Sequence, residues 1–386
     1  MTVLGALARR EVSNAIQVTP WGDWSGSGGS TWAGKSVDNT AALQLLTVYG
    51  CNRFICDGIS TLPVDVLRRR SDGSPEPVKT PDIIKNPTSD LDFTAWATQV
   101  LTSLLIAGNF YGLKVFSGGR LVEIIPLNPE SVSVRRERGR KVFDINGREL
   151  TAFEILHIPG VMWPGSDEGM SPLEAARQTI GKGLAAEEFG AKFFGQGAVM
   201  AGVIETPQEM TPDGARNMAR GWDKTHAGSE QAHRTGVLVG GATWKQTSIT
   251  NEQAQFLETQ KFTASQIASL MFQIDPAEMG LPVDGTSLTY ANLEQRNARK
   301  VQVTFLPWIT RLERALAGVL PRPQYVKLNV NGLLRGDMKT RFESYAVAIQ
   351  NEFAVPNEAR DFEDWAPLPG GDVVVSKSPT PPEGEQ

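Results

Sequence analysis

Cysteine and histidine are almost missing from this 386-residue chain, which has two of the first and three of the second. Cys51 and Cys56 lie five positions apart, which on a helix sets them roughly 140° from one another and off a common face. They read as small apolar residues in a reducing compartment. His157, His226 and His233 have no metal-ligand spacing with them, so no zinc site is expected. No apolar run reaches membrane-spanning length. Met1 to Val12 carries an arginine pair but not the apolar stretch of a secretory signal. The chain is therefore placed in a cytoplasm or in a particle assembled there. A basic excess is missing as well: 38 Lys and Arg stand against 43 Asp and Glu, a formal charge of −5. Tight sequence readers of nucleic acid carry a basic surplus or patch. This balance argues against one, while allowing a surface that nucleic acid merely passes.

What is present is an ordinary globular composition, 40% hydrophobic and 21% charged, in a chain long enough for two or more domains. Residues 21–36 are rich in Gly, Ser and Trp and read as a loose arm. Helical periodicity runs over 39–59, with Leu43, Leu46, Gly50 and Phe54 as its apolar face, and Pro63 ends it. An amphipathic strand follows, then a turn at Asp72-Gly73. A second helix runs from Thr94 to Gly108, with Phe93, Trp96, Val100 and Leu104 on one face. Short strands occupy 111–116, 121–127, 131–135, 142–145 and 155–158, so this half reads as α+β.

Ser171-Pro172 is a helix start, serine as N-cap and proline at the first helical position. The helix runs to about Phe194 despite Gly181, Gly183 and Gly190. Glycines there cost about 1 kcal/mol each against alanine, so the helix needs close neighbours. A strand (202–205), a helix (211–226) and a hairpin (237–246) make a compact insert before another helix over 251–272. Residues 275–289 hold Pro276, Gly280, Pro282 and Gly285 and read as a loop. A long helical pattern over 290–320 contains Pro307, which predicts a kink. A strand (325–330) and two helices close the fold, and residues 376–386 form a Pro/Glu-rich tail read as disordered.

The stretch Gly29-Ser-Thr-Trp-Ala-Gly34-Lys35-Ser36 fits the phosphate-binding pattern GxxxxGK[ST] letter for letter. Its context does not fit: no buried strand precedes it, the next helix begins late, and no later strand ends in an aspartate placed for magnesium. The expected state is a loose arm, with a nucleotide hydrolase as the alternative. The basic cluster Arg135, Arg136, Arg138, Arg140 and Lys141 sits at a hairpin tip with Glu137 and reads as a solvated turn. His157 on an apolar strand reads as structural. Glu187 and Glu188 are adjacent on a helix and cannot pair on one face.

Nine segments taken in order carry a family resemblance: Val48 to Pro63, Leu104-Leu-Ile-Ala-Gly-Asn-Phe-Tyr111, Ile125 to Pro129, Glu154 to Ile158, Gly169-Met-Ser-Pro-Leu173, Ala185 to Phe194, Ala254 to Phe262, Phe305-Leu-Pro-Trp308 and Leu333 to Asp337. In that order the chain resembles the compact, lambdoid-type branch of the tailed-bacteriophage portal proteins, over about Ala41 to Asp372.

The resemblance implies a flexible arm (1–38), an α+β wing (39–170), a first stem helix (171–201), a small α/β clip (202–249) and a second stem helix (250–273). It further implies a tunnel loop (274–289), a kinked helix (290–320), a short helical crown (321–372) and a disordered tail (373–386). It implies Pro282, Val283, Asp284, Gly285 and Thr286 as the DNA-channel loop, Gly181, Gly183 and Gly190 as stem packing positions, and Pro307 as the kink. It implies a dodecameric ring at a capsid vertex, in the virion and during assembly in the host cytoplasm. Double-stranded DNA would pass non-specifically. The partners would be the major capsid protein, the terminase large subunit, a head-completion adaptor and a scaffold. No enzyme activity, cofactor, metal or membrane is expected. Another head–tail connector ring protein is the remaining alternative.

Overall fold

The structure, a computed structural model, describes residues 29–195, 202–207, 211–226, 241–246, 251–281, 290–330, 333, 338–363 and 365–374. Residues 1–28 of the expected arm, the strand expected at 237–239, Pro282 to Thr286, and residues 375–386 of the tail lie outside the described residues.

A two-stranded ribbon, β1 (Gly29–Ser30) and β2 (Ser36–Val37), precedes α1 (Asn39–Gln44) and α2 (Leu46–Ser60). Asp38 caps α1 by accepting from the backbone of Ala41, which satisfies one of the free N–H groups of the first turn. The single helix expected over 39–59 is broken at Leu45, whose extended backbone (ψ 112°) separates the two pieces. The break resets the helical phase. Leu46, expected on the buried face, is 73% exposed, and Val48, Cys51, Ile55, Cys56 and Ile59 point inward instead.

β3 (Val64–Arg69) and β4 (Pro75–Pro77) form a hairpin, α3 (Asp82–Lys85) is a single turn, and α4 (Phe93–Ala107) is the central helix. Asp92 caps α4 through Ala95 N–H, and Gly108 ends it in the left-handed conformation. Trp96 is fully buried on α4. Its indole donates to the carbonyl of Ile124 at 2.9 Å and meets Phe110 edge-on.

β5 (Asn109–Ser117) is the middle of the sheet β10–β5–β6, with β6 over Arg120–Leu127 and β10 over Ile155–Pro159. Between them β7 (Val132–Glu137), β8 (Arg140–Ile145) and β9 (Arg148–Thr151) make a second antiparallel sheet. The expected hairpin is there, with Arg138 and Gly139 at positive φ in its turn. Strand β9 was not read from the sequence. Tyr111, Phe143, Ile145 and Leu150 form a small core under these strands, separate from the main one.

The helix α5 (Pro172–Gly195) follows, then the insert β11 (Gly202–Glu205), α6 (Pro212–His226) and β12 (Thr243–Gln246), with β11 and β12 paired. α7 (Asn251–Gln266) packs along α5. It widens into a π-helical segment at Ile267–Met271. α8 (Tyr290–Arg299), a second π-helical segment (Lys300–Phe305) and α9 (Leu306–Ala317) form one continuous helical run.

β13 (Gln324–Leu328) returns to pair with β3, so the late part of the chain completes an early sheet. Buried Glu313 on α9 fixes that return by accepting from Leu328 N–H and Lys327 Nζ. α10 (Met338–Gln350) and α11 (Pro356–Asp361) close the described chain. The fold is α+β. Among the described residues no helix is long and apolar enough to cross a membrane.

Gly108 has φ +75°, and a Cβ there would meet the Met170 carbonyl oxygen at 2.0 Å. We expect Gly108→Ala to lose about 2–4 kcal/mol in urea unfolding, from left-handed strain plus overpacking. Gly73→Ala, at φ +87° with nothing near it, should lose only about 1–2 kcal/mol. Equal losses would contradict the backbone contact.

Candidate functional site

Three of the segments that carry the family resemblance meet at one place. Gly108 ends α4, Asn109 begins β5, and Gly169 to Ser171 lead into α5. The Asn109 side chain accepts from Gly169 N–H at 2.7 Å and donates to the Gly169 carbonyl at 2.8 Å. Gly108 and Gly160 lie against the same turn, joined by a Gly160 N–H bond to the Gly108 carbonyl. Ser171 caps α5 by accepting from Glu174 N–H, and its hydroxyl donates to the Ile106 carbonyl. The start of the long helix is thereby tied to the end of the central one.

His157 extends this cluster. It stacks on Tyr111 with ring centres 4.8 Å apart, and its Nε2 lies 3.1 Å from Asn109 Oδ1. That oxygen already accepts from Gly169, so the network assigns the imidazole proton to Nε2. Tyr111 donates to Glu168 at 2.7 Å, and burial and this carboxylate push its phenol pKa upward. Burial, with Lys141 nearby, pulls the His157 pKa down to about 4. The histidine is structural, as its strand position indicated.

The GxxxxGKS stretch is a hairpin. Gly29 pairs with Val37 and Ser30 with Ser36, and the turn closes through Thr31 N–H to the Lys35 carbonyl. Residues 31–35 turn back between two paired strands and do not enter a helix, so this hairpin does not form the backbone cradle for a triphosphate. Lys35 pairs with Glu188 on α5, and Val37 is buried. Residues 29–37, expected to be loose, are instead docked on α5. The nucleotide-hydrolase alternative has no site here.

The glycines of α5 find neighbours within the chain. A Cβ at Gly181 would meet Thr31 of the hairpin at 2.5 Å, and one at Gly183 would meet Leu45 at 3.0 Å. At Gly190 the nearest atom is the Gln260 side-chain nitrogen at 3.9 Å. The first two therefore admit the hairpin and the α1–α2 break, while Gly190 faces α7 loosely.

At the base of the 274–289 loop two cations face carboxylates. Lys300 pairs with Glu278 at 2.8 Å and Arg296 approaches Asp275 at 3.7 Å, lining a cavity of about 450 Å³. Gln273 takes a left-handed backbone (φ +55°), and its carbonyl accepts from Thr304 Oγ1. This contact links the two π-helical segments. Leu306 N–H bonds five residues back to Val301. The wider turn therefore stands directly before Pro307, which sits near the start of α9 where its missing N–H is tolerated. Neither π segment has a sequence signature that periodicity could detect.

Three of the five cations of the basic cluster face carboxylates: Arg135 contacts Glu137 and Glu149, and Arg136 and Lys141 share Asp167. Burial pushes the Cys51 and Cys56 thiols up to about 12, which makes them poor nucleophiles. Among the described residues no group of three His, Cys, Asp or Glu could hold a metal ion.

We expect protein stability to fall as pH drops from 6.5 towards 4, because the unfolded chain binds a proton at His157 that the folded chain refuses. The contribution is about 2 kcal/mol, reduced from the full shift because the ring is only half-buried. Urea unfolding of His157→Gln across this range should show a flatter profile. An unchanged slope would contradict the burial of a neutral imidazole.

Comparison with known proteins matches this arrangement to one family. The family model described as "Phage portal protein" matches residues 46–364. The probable portal protein of Streptomyces phage phiC31 is 31% identical over 88% of this chain and 78% of its own length. The portal protein of Enterobacteria phage HK97 is 25% identical over 89% of this chain and 84% of its own. A chain in the neck of a native gene transfer agent particle, computed with C12 symmetry, has a TM-score of 0.62 at 19% identity. It covers 94% of this chain and all of its own, a likeness of fold. By these matches the chain belongs to the phage portal protein family, whose members are structural, non-enzymatic proteins.

Proposed function

We propose that this chain is one subunit of a twelvefold ring at a capsid vertex, in the neck of a virion, through which double-stranded DNA is packaged and later ejected. The observation that carries this reading is the pair of packed helices α5 and α7, bracketing the β11–α6–β12 insert. They stand in a chain whose fold matches a subunit of a C12-symmetric neck. On this reading residues 39–170 are the wing, α5 and α7 the stem, 202–249 the clip and 274–289 the tunnel loop. The helical run with Pro307 lies behind that loop, and 321–372 form the crown. The clip meets the terminase large subunit during packaging and an adaptor protein afterwards, the wing meets the capsid protein, and a scaffold promotes assembly.

Charge supports passage rather than capture. Each lysine or arginine held on a phosphate adds affinity by releasing counterions and so resists sliding. The chain carries −5 overall, and Arg296 and Lys300 at the base of the loop already face carboxylates. Pro282, Val283, Asp284, Gly285 and Thr286 contain no cation, as a segment that must release DNA at every step requires.

Deleting residues 280–285 should leave rings intact in electron micrographs while nuclease-protected DNA per particle falls at least about tenfold, since only the channel contact is lost. Packaging at the parental level would contradict the channel assignment.

A further inference from the structure

Two features of the described residues, a knob and a groove, stand on opposite sides of α5. The knob is Trp32, 94% exposed at the tip of the β1–β2 turn. It is held in place from below. Its backbone N–H donates to Gln178 Oε1 at 3.0 Å, Thr31 rests on Gly181, and Lys35 pairs with Glu188, all on α5. An indole fixed this far into water by a clamped backbone is a preorganised anchor of the kind that dominates protein interfaces.

The groove, about 590 Å³, is lined by Ala175 and Thr179 of α5, Ile267 and Leu270 of the first π segment, and Trp308 and Arg311 of α9. Leu270 is 74% exposed there. The Arg311 guanidinium lies 5.2 Å from the centre of the Trp308 ring and donates to the Pro307 carbonyl. Among the described residues no carboxylate lines the groove. Arg311 therefore has no anionic partner there and can stack a second aromatic ring.

Knob and groove use different sides of one helix. At 100° per residue, Arg177 and Gly181 beneath the hairpin are roughly 170° around α5 from Pro172, Ala175, Ala176 and Thr179 in the groove. The knob of a subunit points away from its own groove, so an indole of this kind that fills the groove comes from a second copy. A head-to-tail ring requires two different, complementary patches on opposite sides of each subunit.

We propose that Trp32 of each subunit inserts into the α5–π–α9 groove of its neighbour and is an anchor of the ring interface. This rests on the ring reading above. It assigns the GxxxxGKS hairpin a task unrelated to phosphate: Gly34, at φ +74°, and Gly181 shape and seat the turn that presents the indole.

The test keeps the indole and places thiols beside it. Ala33→Cys, next to Trp32 and exposed, is combined with Val161→Cys on the groove rim. The native thiols are buried. Assembled rings are treated with a short bismaleimide and run in denaturing gels. The expected result is a ladder of covalent oligomers from dimer upward with the double variant and monomer with each single one. Rings that form normally but yield only monomer would overturn the inference while leaving the ring reading standing. That result would give the groove to the undescribed N-terminal segment or to another protein. A parent chain that forms no ring in capsid particles would overturn both. As a second measurement, Trp32→Ala should raise the concentration at which rings dissociate by about tenfold or more, with Trp32→Phe between it and the parent. An unchanged dissociation with Trp32→Ala would also overturn the inference.

Discussion

Asn109 uses both ends of its side-chain amide on one residue, accepting from the N–H of Gly169 and donating to its carbonyl. Most of the architecture depends on that clamp. It holds the turn that leads into α5 against the left-handed end of α4, where Gly108 leaves no room for a Cβ. The direction in which α5 leaves the α+β body is fixed there, and α5 in turn carries the hairpin on one side and the groove on the other. A long helix used as a strut transmits any angular error at its root along about 35 Å of length. Tight backbone approach at glycine, closed by a bidentate amide, keeps that error small.

The same economy of contacts governs charge. Lys300 near the loop, and Arg135 and Arg136 on the β7–β8 hairpin, are matched by carboxylates a few ångströms away. The apolar features left exposed, Trp32 and Leu270 among them, suit contacts between protein surfaces. The two π-helical segments flank the loop and meet through Thr304 and Gln273. Widened turns of this kind recur at functional positions, because they aim the residues that follow without ending the helix.

Much of this was legible in the sequence. Ser171-Pro172 announced the start of α5, Gly108 marked the end of α4, and the Arg138-Gly139 turn was placed correctly. These signals are local: a cap or a turn is decided by a few neighbouring residues. What escaped was decided by distant contacts. Leu45 breaks the first helix while buried against Gly183, far along the chain, and the break reversed the expected role of Leu46. The phosphate-loop letters cannot distinguish a strand–loop–helix from a hairpin, because Gly34-Lys35-Ser36 suits either. Asn109 lay inside a recognised segment, yet its partner Gly169 is sixty residues away and its role was invisible. Gly181 was read as a close-packing position, and its partner proved to be Thr31 of the same chain.

The account stands on the claim that copies of this chain close into a ring around an open axis. Electron microscopy of the protein assembled with its capsid partners tests it most directly. The account predicts twelvefold averages with an axial hole, the 274–289 loop facing the axis and the β11–α6–β12 insert at one end. A monomer attached singly to the capsid, or a ring with that loop on its outer rim, would contradict it.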